Sequence, residues 1–145
     1  MSDPRIVGYL DRAVAHELSA VQQYLAQARL TALWGMDDVS RRFRGEAQEE
    51  LEHADRFITR MFHYGAAPRG SQLAPARLGR SLGELLARDR ELEMEAVRLY
   101  DEAAVFCRRV GALDDAALFE AILEEELQHV REIDAWTAGQ QPAGD

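Results

Sequence analysis

The chain has 145 residues, 47% of them hydrophobic and 30% charged, with a net charge of −9. This is one ordinary domain with enough apolar content for a single core. The acidic balance excludes a nucleic-acid-binding face, which needs a basic patch. The one cysteine, Cys107, excludes an internal disulfide and a thiolate metal cluster within one chain, and it reads as a small buried hydrophobe.

The N-terminal stretch MSDPRIVGYLDRAVAHEL mixes charged and apolar residues from the start, unlike a secretory leader. No stretch approaches the ~20 apolar residues of a membrane span. A soluble, cytoplasmic protein without a membrane or nucleic-acid partner is expected.

From about Pro4 to Trp34, Ile6, Leu10, Ala13, Glu17, Val21, Tyr24 and Ala28 fall at helical spacing, and Gly35 is a natural stop. Asp37 or Asp38 is suited to cap a second helix, whose stripe is Phe43, Ala47, Glu50, Ala54, Phe57 and Met61 and which ends at Gly65. The stretch GAAPRGSQLAPARLG is a connection. Ser81 with Glu84 predicts a capping box for a third helix carrying Leu82, Leu86, Asp89, Glu93, Val97, Tyr100, Ala104 and Cys107, stopped by Gly111. Asp114 is suited to cap a fourth helix, with Leu113 and Leu118 as a hydrophobic staple and a stripe of Leu118, Ile122, Glu126, His129, Ile133 and Trp136.

Four amphipathic helices without strand-like alternation predict an all-α four-helix bundle over residues 1–139, followed by a flexible tail at 140–145. The 14 residues from Ala66 to Gly79 can extend roughly 46 Å at ~3.3 Å per residue. A helix of 27 residues is about 40 Å long. The connection is therefore long enough to cross the bundle and let the second and third helices run parallel, although a short return is also compatible with its length.

The two hairpins repeat one another. EELEHADRF begins at Glu49 and EELQHVREI at Glu125. Glu17, Tyr24, Glu50 and His53 recur as Glu93, Tyr100, Glu126 and His129 at one constant offset of 76 residues. The four glutamates interrupt apolar stripes near mid-helix, so they should point into the bundle at similar heights. In each E-x-x-H, three residues turn the helix through about 300° and rise ~4.5 Å, which puts acid and imidazole on one face.

Four buried carboxylates without partners each cost several kcal/mol of desolvation, and their mutual repulsion adds to it. Two divalent cations cancel that charge. Oxygen and imidazole donors without thiolate suit iron or manganese, with zinc as a competitor. Six protein ligands for two ions leave coordination positions open, which marks a reactive site. A single E-x-x-H is usually a solvated surface pair; two copies in register with two further interior glutamates favour metal. Tyr24 and Tyr100 also read as core aromatics bonded to a carboxylate. Asp89 is expected at the solvated bundle edge, and Glu49, Glu52, Glu124 and Glu125 on the polar rim.

The stretches HELSAVQQYLAQARLTALWG, EELEHADRFITRMF, LLARDRELEMEAVRLYDEA and ILEEELQH, in this order, resemble bacterioferritin over almost the whole chain. The resemblance implies a ferritin-like bundle with a long crossover, iron storage, and a ferroxidase that oxidises Fe(II) with dioxygen or hydrogen peroxide. It implies two iron ions per subunit: Glu17 and His53 on one, Glu93 and His129 on the other, Glu50 and Glu126 bridging, and Tyr24 beside them. It also implies a homo-oligomer, either a shell of 24 subunits or a dimer.

Three positions depart from that pattern. The family's haem-ligating methionine is replaced by Leu51, which has no lone pair for iron, so haem ligation of the usual kind is not expected and Met61 and Met94 read as packing residues. A histidine of the family's inner-surface iron site is replaced by Gly45, with Glu46 and Glu49 remaining, which makes an electron-transfer iron there less expected. The short fifth helix has no counterpart before Asp145. Two other readings are a rubrerythrin-type di-metal peroxidase, disfavoured by the single cysteine, and a non-haem subunit of a shell mixed with a haem-binding paralogue.

Overall fold

In the computed structural model, which describes residues 3–70 and 72–140, glycine and proline punctuate the chain as their conformational preferences dictate. Four helices result: α1 (Pro4–Leu33), α2 (Asp37–His63), α3 (Leu82–Arg109) and α4 (Leu113–Gln140). No strand occurs among the described residues. Asp3 caps α1 by accepting from the Arg5 N–H at 2.9 Å, and Pro4 sits in the first turn, where its missing N–H costs nothing. The predicted tail overlaps α4 at Gln140; positions 141–145 lie outside the described residues.

Gly35 and Gly111, also 76 residues apart, end α1 and α3 with φ of +80° and +79°. The N–H of the following residue reaches back to Thr31 O at 2.9 Å in one case and to Cys107 O at 2.8 Å in the other, the pattern of a left-handed helix stop. A methyl group at Gly111 would meet nothing within 4 Å, so substitution strains only the backbone. Gly111→Ala is expected to destabilise the fold by about 1–2 kcal/mol, read as a lower midpoint in chemical denaturation with an unchanged slope. An unaltered midpoint would contradict this account of the turn.

The caps differ from expectation at three places. α2 begins at Asp37 with Met36 at the cap position and no side-chain cap, so Asp37 and Asp38 occupy the first turn, where their charge faces the positive end of the helix dipole. α4 begins at Leu113, two residues earlier than a cap at Asp114 would place it, so Asp114 and Asp115 are first-turn acids. Leu113 is 58% exposed and forms no staple, while Leu118 packs against the core. Ser81 does cap α3, accepting from Glu84 N–H at 3.2 Å, but the Glu84 carboxylate takes the Arg80 N–H instead of completing the box on Ser81.

The crossover settles the topology. Its backbone runs alongside α1: Arg69 N–H donates to Asp11, Ala74 N–H to Ser19 Oγ and Arg77 N–H to Gln23, while Gln22 and Gln27 donate to the carbonyls of Ala74 and Arg77. The chain therefore travels the length of the bundle before α3 begins. Ser40 bonds to Ala28 O at one end of α1 and His53 reaches Glu17 further along, so α2 is antiparallel to α1. Asp89 meets Gln23 and Tyr100 meets Glu17, so α3 is also antiparallel to α1 and hence parallel to α2.

Two apolar clusters fill the interior. One holds Ile6, Leu10, Phe57, Tyr100, Phe119 and Ile122; the other holds Tyr24, Ala28, Phe43, Leu86, Leu92 and Ile133. Every helix passes from one cluster to the other, and at each crossing point it carries a buried glutamate: Glu17, Glu50, Glu93 and Glu126. The polar layer is thus sealed above and below by hydrocarbon. Cys107 is fully buried, as expected, and burial pushes its thiol up to about 11.

Candidate metal centre

The helical period places the six predicted side chains in this layer. Glu17, Glu50, Glu93 and Glu126 are at most 1% exposed, His53 is 3% exposed and His129 is 6% exposed. One ligand atom each from Glu17, Glu50, His53 and Glu126 lies within 4.8 Å of the others, and the same holds for Glu50, Glu93, Glu126 and His129. Glu50 and Glu126 belong to both groups. The histidine rings stack at 5.9 Å between centroids.

The donors face one another without bonding. His53 Nδ1 lies 2.7 Å from Glu126 Oε1 and 3.4 Å from Glu17 Oε1; His129 Nδ1 lies 2.9 Å from Glu50 Oε1 and 3.6 Å from Glu93 Oε2. These approaches lack hydrogen-bond geometry. Both Nδ1 atoms, both Glu126 oxygens and one oxygen each of Glu17, Glu50 and Glu93 are buried and unbonded. Buried polar atoms are almost always satisfied. Seven unsatisfied ones converging from four helices fit a pair of hard or borderline cations bound among them.

Electrostatics agree. Burial pushes Glu17 and Glu126 well above the ordinary carboxylate range, with further raising from Glu50 and Glu93 respectively, and lifts Glu50 to about 7 with help from Glu93 and Glu126. Glu93 goes the other way: burial opposes ionisation, but contacts with Glu126, His129 and the Tyr24 hydroxyl hold it down to about 2. Burial also opposes charge on both imidazoles, yet the surrounding carboxylates outweigh it and raise His53 and His129 far above their usual value.

Three features went beyond what the sequence signalled. The tyrosines are crossed: Tyr24 Oη donates to Glu93 at 2.8 Å and Tyr100 Oη to Glu17 at 2.7 Å, so each hairpin's tyrosine holds the other hairpin's glutamate. Tyr100 therefore stands on the same footing as Tyr24. Asp89 is fully buried, which corrects the expected solvated edge: it accepts from Gln23 Nε2 at 2.9 Å, and burial lifts its carboxyl to about 7. Asp89 falls on the buried stripe of α3, and that spacing was the signal for it. Lastly, the rim glutamates Glu49 and Glu125 contact the outward nitrogens of His129 and His53.

A cavity of about 280 Å³ lies at the surface between α2 and α4, flanked by Glu49, Glu52, Glu125, Gln128 and Glu132, with the two histidine rings as its floor toward the centre.

The family model of the ferritin-like domain matches residues 7–139. The bacterioferritin of Rhodobacter capsulatus is 34% identical over 128 residues, covering 88% of this chain and 80% of the relative. The chain belongs to the bacterioferritins. The bacterioferritin of Brucella melitensis is 31% identical over the same share of each chain. The solved Rhodobacter capsulatus bacterioferritin superposes with a TM-score of 0.91 at 31% identity, covering 95% of this chain and 86% of that one. Its dinuclear site is metal-free and its haem iron lies on a crystallographic special position. As a bacterioferritin, this protein stores iron and is a ferroxidase, an oxidoreductase acting on Fe(II).

The residues of this chain do not fit haem in the family manner. Leu51 is 45% exposed in a groove of about 380 Å³ between α1 and α2, beside Leu18, Ala54 and Ile58, with Gln48, Glu52 and Asp55 at its margins. Among the described residues lining it there is no thioether, imidazole, thiolate or phenol, the side chains that hold haem iron. The acids that do line it are hard ligands.

No helix among the described residues is long and apolar enough to cross a membrane.

Proposed function

We propose that Glu17, Glu50, His53, Glu93, Glu126 and His129 are the ligands of the di-iron centre, with Glu50 and Glu126 bridging. The observation that carries this reading is the shared membership of those two glutamates in both four-residue groups, together with the unbonded inward atoms of all six. His53 and His129 would each present Nδ1 to one metal position, beside Glu17 and Glu93 respectively.

The division of labour follows from the geometry. Bound there, two Fe(II) ions would supply one electron each, enough to reduce dioxygen to hydrogen peroxide or hydrogen peroxide to water. The chain's own contribution is position and charge. Tyr24 and Tyr100 hold one oxygen of Glu93 and of Glu17, which leaves the other oxygen aimed inward. The two hydrocarbon clusters exclude water from above and below, so electrostatic interactions in the layer are strengthened. The acidic mouth raises the local concentration of cations. The oxidised iron would be stored inside an oligomeric shell, of 24 subunits as the resemblance implies, in the cytoplasm.

The test is a titration of the apoprotein with Fe(II) under oxygen, followed by ultraviolet absorbance. A fast phase saturating at two Fe(II) per chain is expected. Saturation at one equivalent, or only slow oxidation proportional to added iron, would reject the assignment.

A further inference from the structure

Outside the metal layer, one buried polar group is short of a hydrogen. Asp89 of α3 and Gln23 and Gln27 of α1 are at most 2% exposed, and the two glutamines hold the crossover. Their bonds run in one direction around a ring. The Arg77 N–H donates to Gln23 Oε1 at 3.2 Å, and Gln23 Nε2 donates to Asp89 Oδ1 at 2.9 Å. On the other side Gln27 Nε2 donates to the carbonyl oxygen of the same Arg77 at 3.0 Å. Gln27 also lies against the Asp89 carboxyl. The ring is open at one link: Asp89 Oδ2 and Gln27 Oε1 are both buried and unbonded. An amide oxygen and a carboxylate oxygen are both acceptors, so only a proton on Asp89 can join them directly.

We propose that Asp89 is a carboxylic acid in the folded protein, that its O–H closes the ring onto Gln27 Oε1, and that the closed ring latches the crossover to α1 and α3 until rising pH opens it. One hydrogen then satisfies two buried acceptors, and buried polar atoms are almost always satisfied. Each bond of a connected set also polarises the next. No cation among the described residues is bonded to Asp89 to hold a carboxylate charge there. From α1 it faces the neutral Gln23, Gln27 and Tyr24; Glu46 of α2 and Glu93 of its own helix are acids that oppose its ionisation. Arg77 of the crossover gives its guanidinium to Glu95 and Glu91, and Asp134 of α4 is paired with Arg90 at the surface.

Burial, the largest effect, lifts the Asp89 carboxyl from 3.8 to about 7. The folded state thus keeps a proton that the unfolded chain releases, so the latch is closed at low pH and is lost as pH rises through the folded value. Asp89 lies one turn before Glu93, and Gln23 directly precedes Tyr24. Opening therefore loosens the crossover over the flank where Tyr24 Oη donates to Glu93. No hydrogen bond joins Asp89 to the six side chains of the metal layer among the described residues, so the latch is independent of which of them hold iron.

The test uses the full-length protein with isotope-labelled aspartate, which separates aspartic from glutamic carbonyl bands in the infrared. At about pH 5.5, where exposed aspartates are ionised, a buried carboxylic-acid band is expected. It should fade by about pH 8.5, more than one unit above the folded value, and be missing from Asp89→Asn. Asparagine keeps the shape and always carries the N–H that stands in for the acid's O–H. Hydrogen exchange reads the latch itself. In the unaltered protein, protection of the Arg77 N–H relative to the amides of α1 should fall by up to about tenfold per pH unit above pH 7, the effect of one proton. Asp89→Asn should match the unaltered protein at low pH and show no such fall. An unaltered protein without the aspartic-acid band overturns the proposal, because an ionised Asp89 must then be satisfied by water or a cation. Crossover protection lost in Asp89→Asn at low pH also overturns it, since the carboxylate would then be the group that holds the crossover. If the variant does not fold, the band in the unaltered protein decides.

Discussion

Glu126→Gln is expected to abolish rapid Fe(II) oxidation while the apoprotein remains folded and becomes at least as stable at neutral pH. The two halves of this result have one cause. Glu126 is fully buried, and both of its oxygens lie in the centre without hydrogen bonds. Replacing one oxygen by an amide nitrogen removes half of a bridging ligand and presents N–H where a cation should sit. Loss of an outer-shell partner commonly costs 10–100-fold; loss of a ligand common to both positions should exceed about 100-fold in the fast oxidation rate by stopped-flow. The apoprotein feels the opposite effect. Burial favours the protonated form of Glu126, with the charges of Glu93 and Glu17 pushing the same way. Glutamine has the shape of that protonated acid and no proton to lose. Replacing a buried acid whose ionised form is opposed by burial and by neighbouring carboxylates costs the apoprotein nothing when the packing is kept. An apoprotein melting several degrees below the parent would show that Glu126 is held by structural partners and not by metal. Oxidation at the parent rate would show that it is no ligand.

The second large effect is a reversal of pH dependence on metal loading. In the apoprotein Glu50 and Asp89 are both raised to about 7, above their ordinary values of 4.5 and 3.8, by burial first of all. His53 and His129 are raised by the carboxylates against the opposing effect of burial. For each of these groups the folded state binds more protons than the unfolded chain. Their stabilisation is present at low pH and is lost as pH rises through the folded values, so apoprotein stability should fall between about pH 5 and pH 8. Glu93, lowered to about 2, acts with the other sign but only below pH 4.5, outside this window.

Metal changes the balance because it binds the deprotonated ligands. At a free-ion concentration 100 times the dissociation constant, each site adds ~2.7 kcal/mol, and two ions together should raise the melting temperature by roughly 10–20 °C at pH 7.5. The gain should shrink as pH falls toward 5, where protons compete for the same atoms. Differential scanning calorimetry with and without Zn(II), at several pH values, reads both trends. An apoprotein that gains stability from pH 5 to 8, or a metal effect independent of pH, would contradict the proposed proton–metal exchange.

A helix buries one stripe, so four apolar stripes each broken by a mid-helix glutamate already required four acids to meet inside a bundle. The constant offset placed their partners His53 and His129 without any coordinates. Glycines at the helix stops marked the segment boundaries to within a residue or two. These features are local: they depend on helical period and backbone conformation, which each segment carries by itself. Resemblance then added the family, and with it the chemistry.

Partnership between helices is another matter. Periodicity tells which face of α1 is buried, but not which residue of α3 or α4 stands opposite at the same height. For that reason Tyr24 and Tyr100 were visible as interior aromatics, while their crossed bonds to Glu93 and Glu17 were not. Asp89 shared the buried stripe, but only the packing of Gln23 against it showed that its charge is enclosed. Cap positions shifted by a residue or two because turn geometry, set by how two helices pack, decides where the first helical residue falls. Glu125 lies on the rim in any reading of the sequence; that it joins Arg56 to His53 depends on α2 and α4 approaching within hydrogen-bond distance. Composition and period thus determined the elements and the donor set of this protein. The tertiary structure alone decided the pairing, because distances between helices are fixed by packing across the core and not by spacing along the chain.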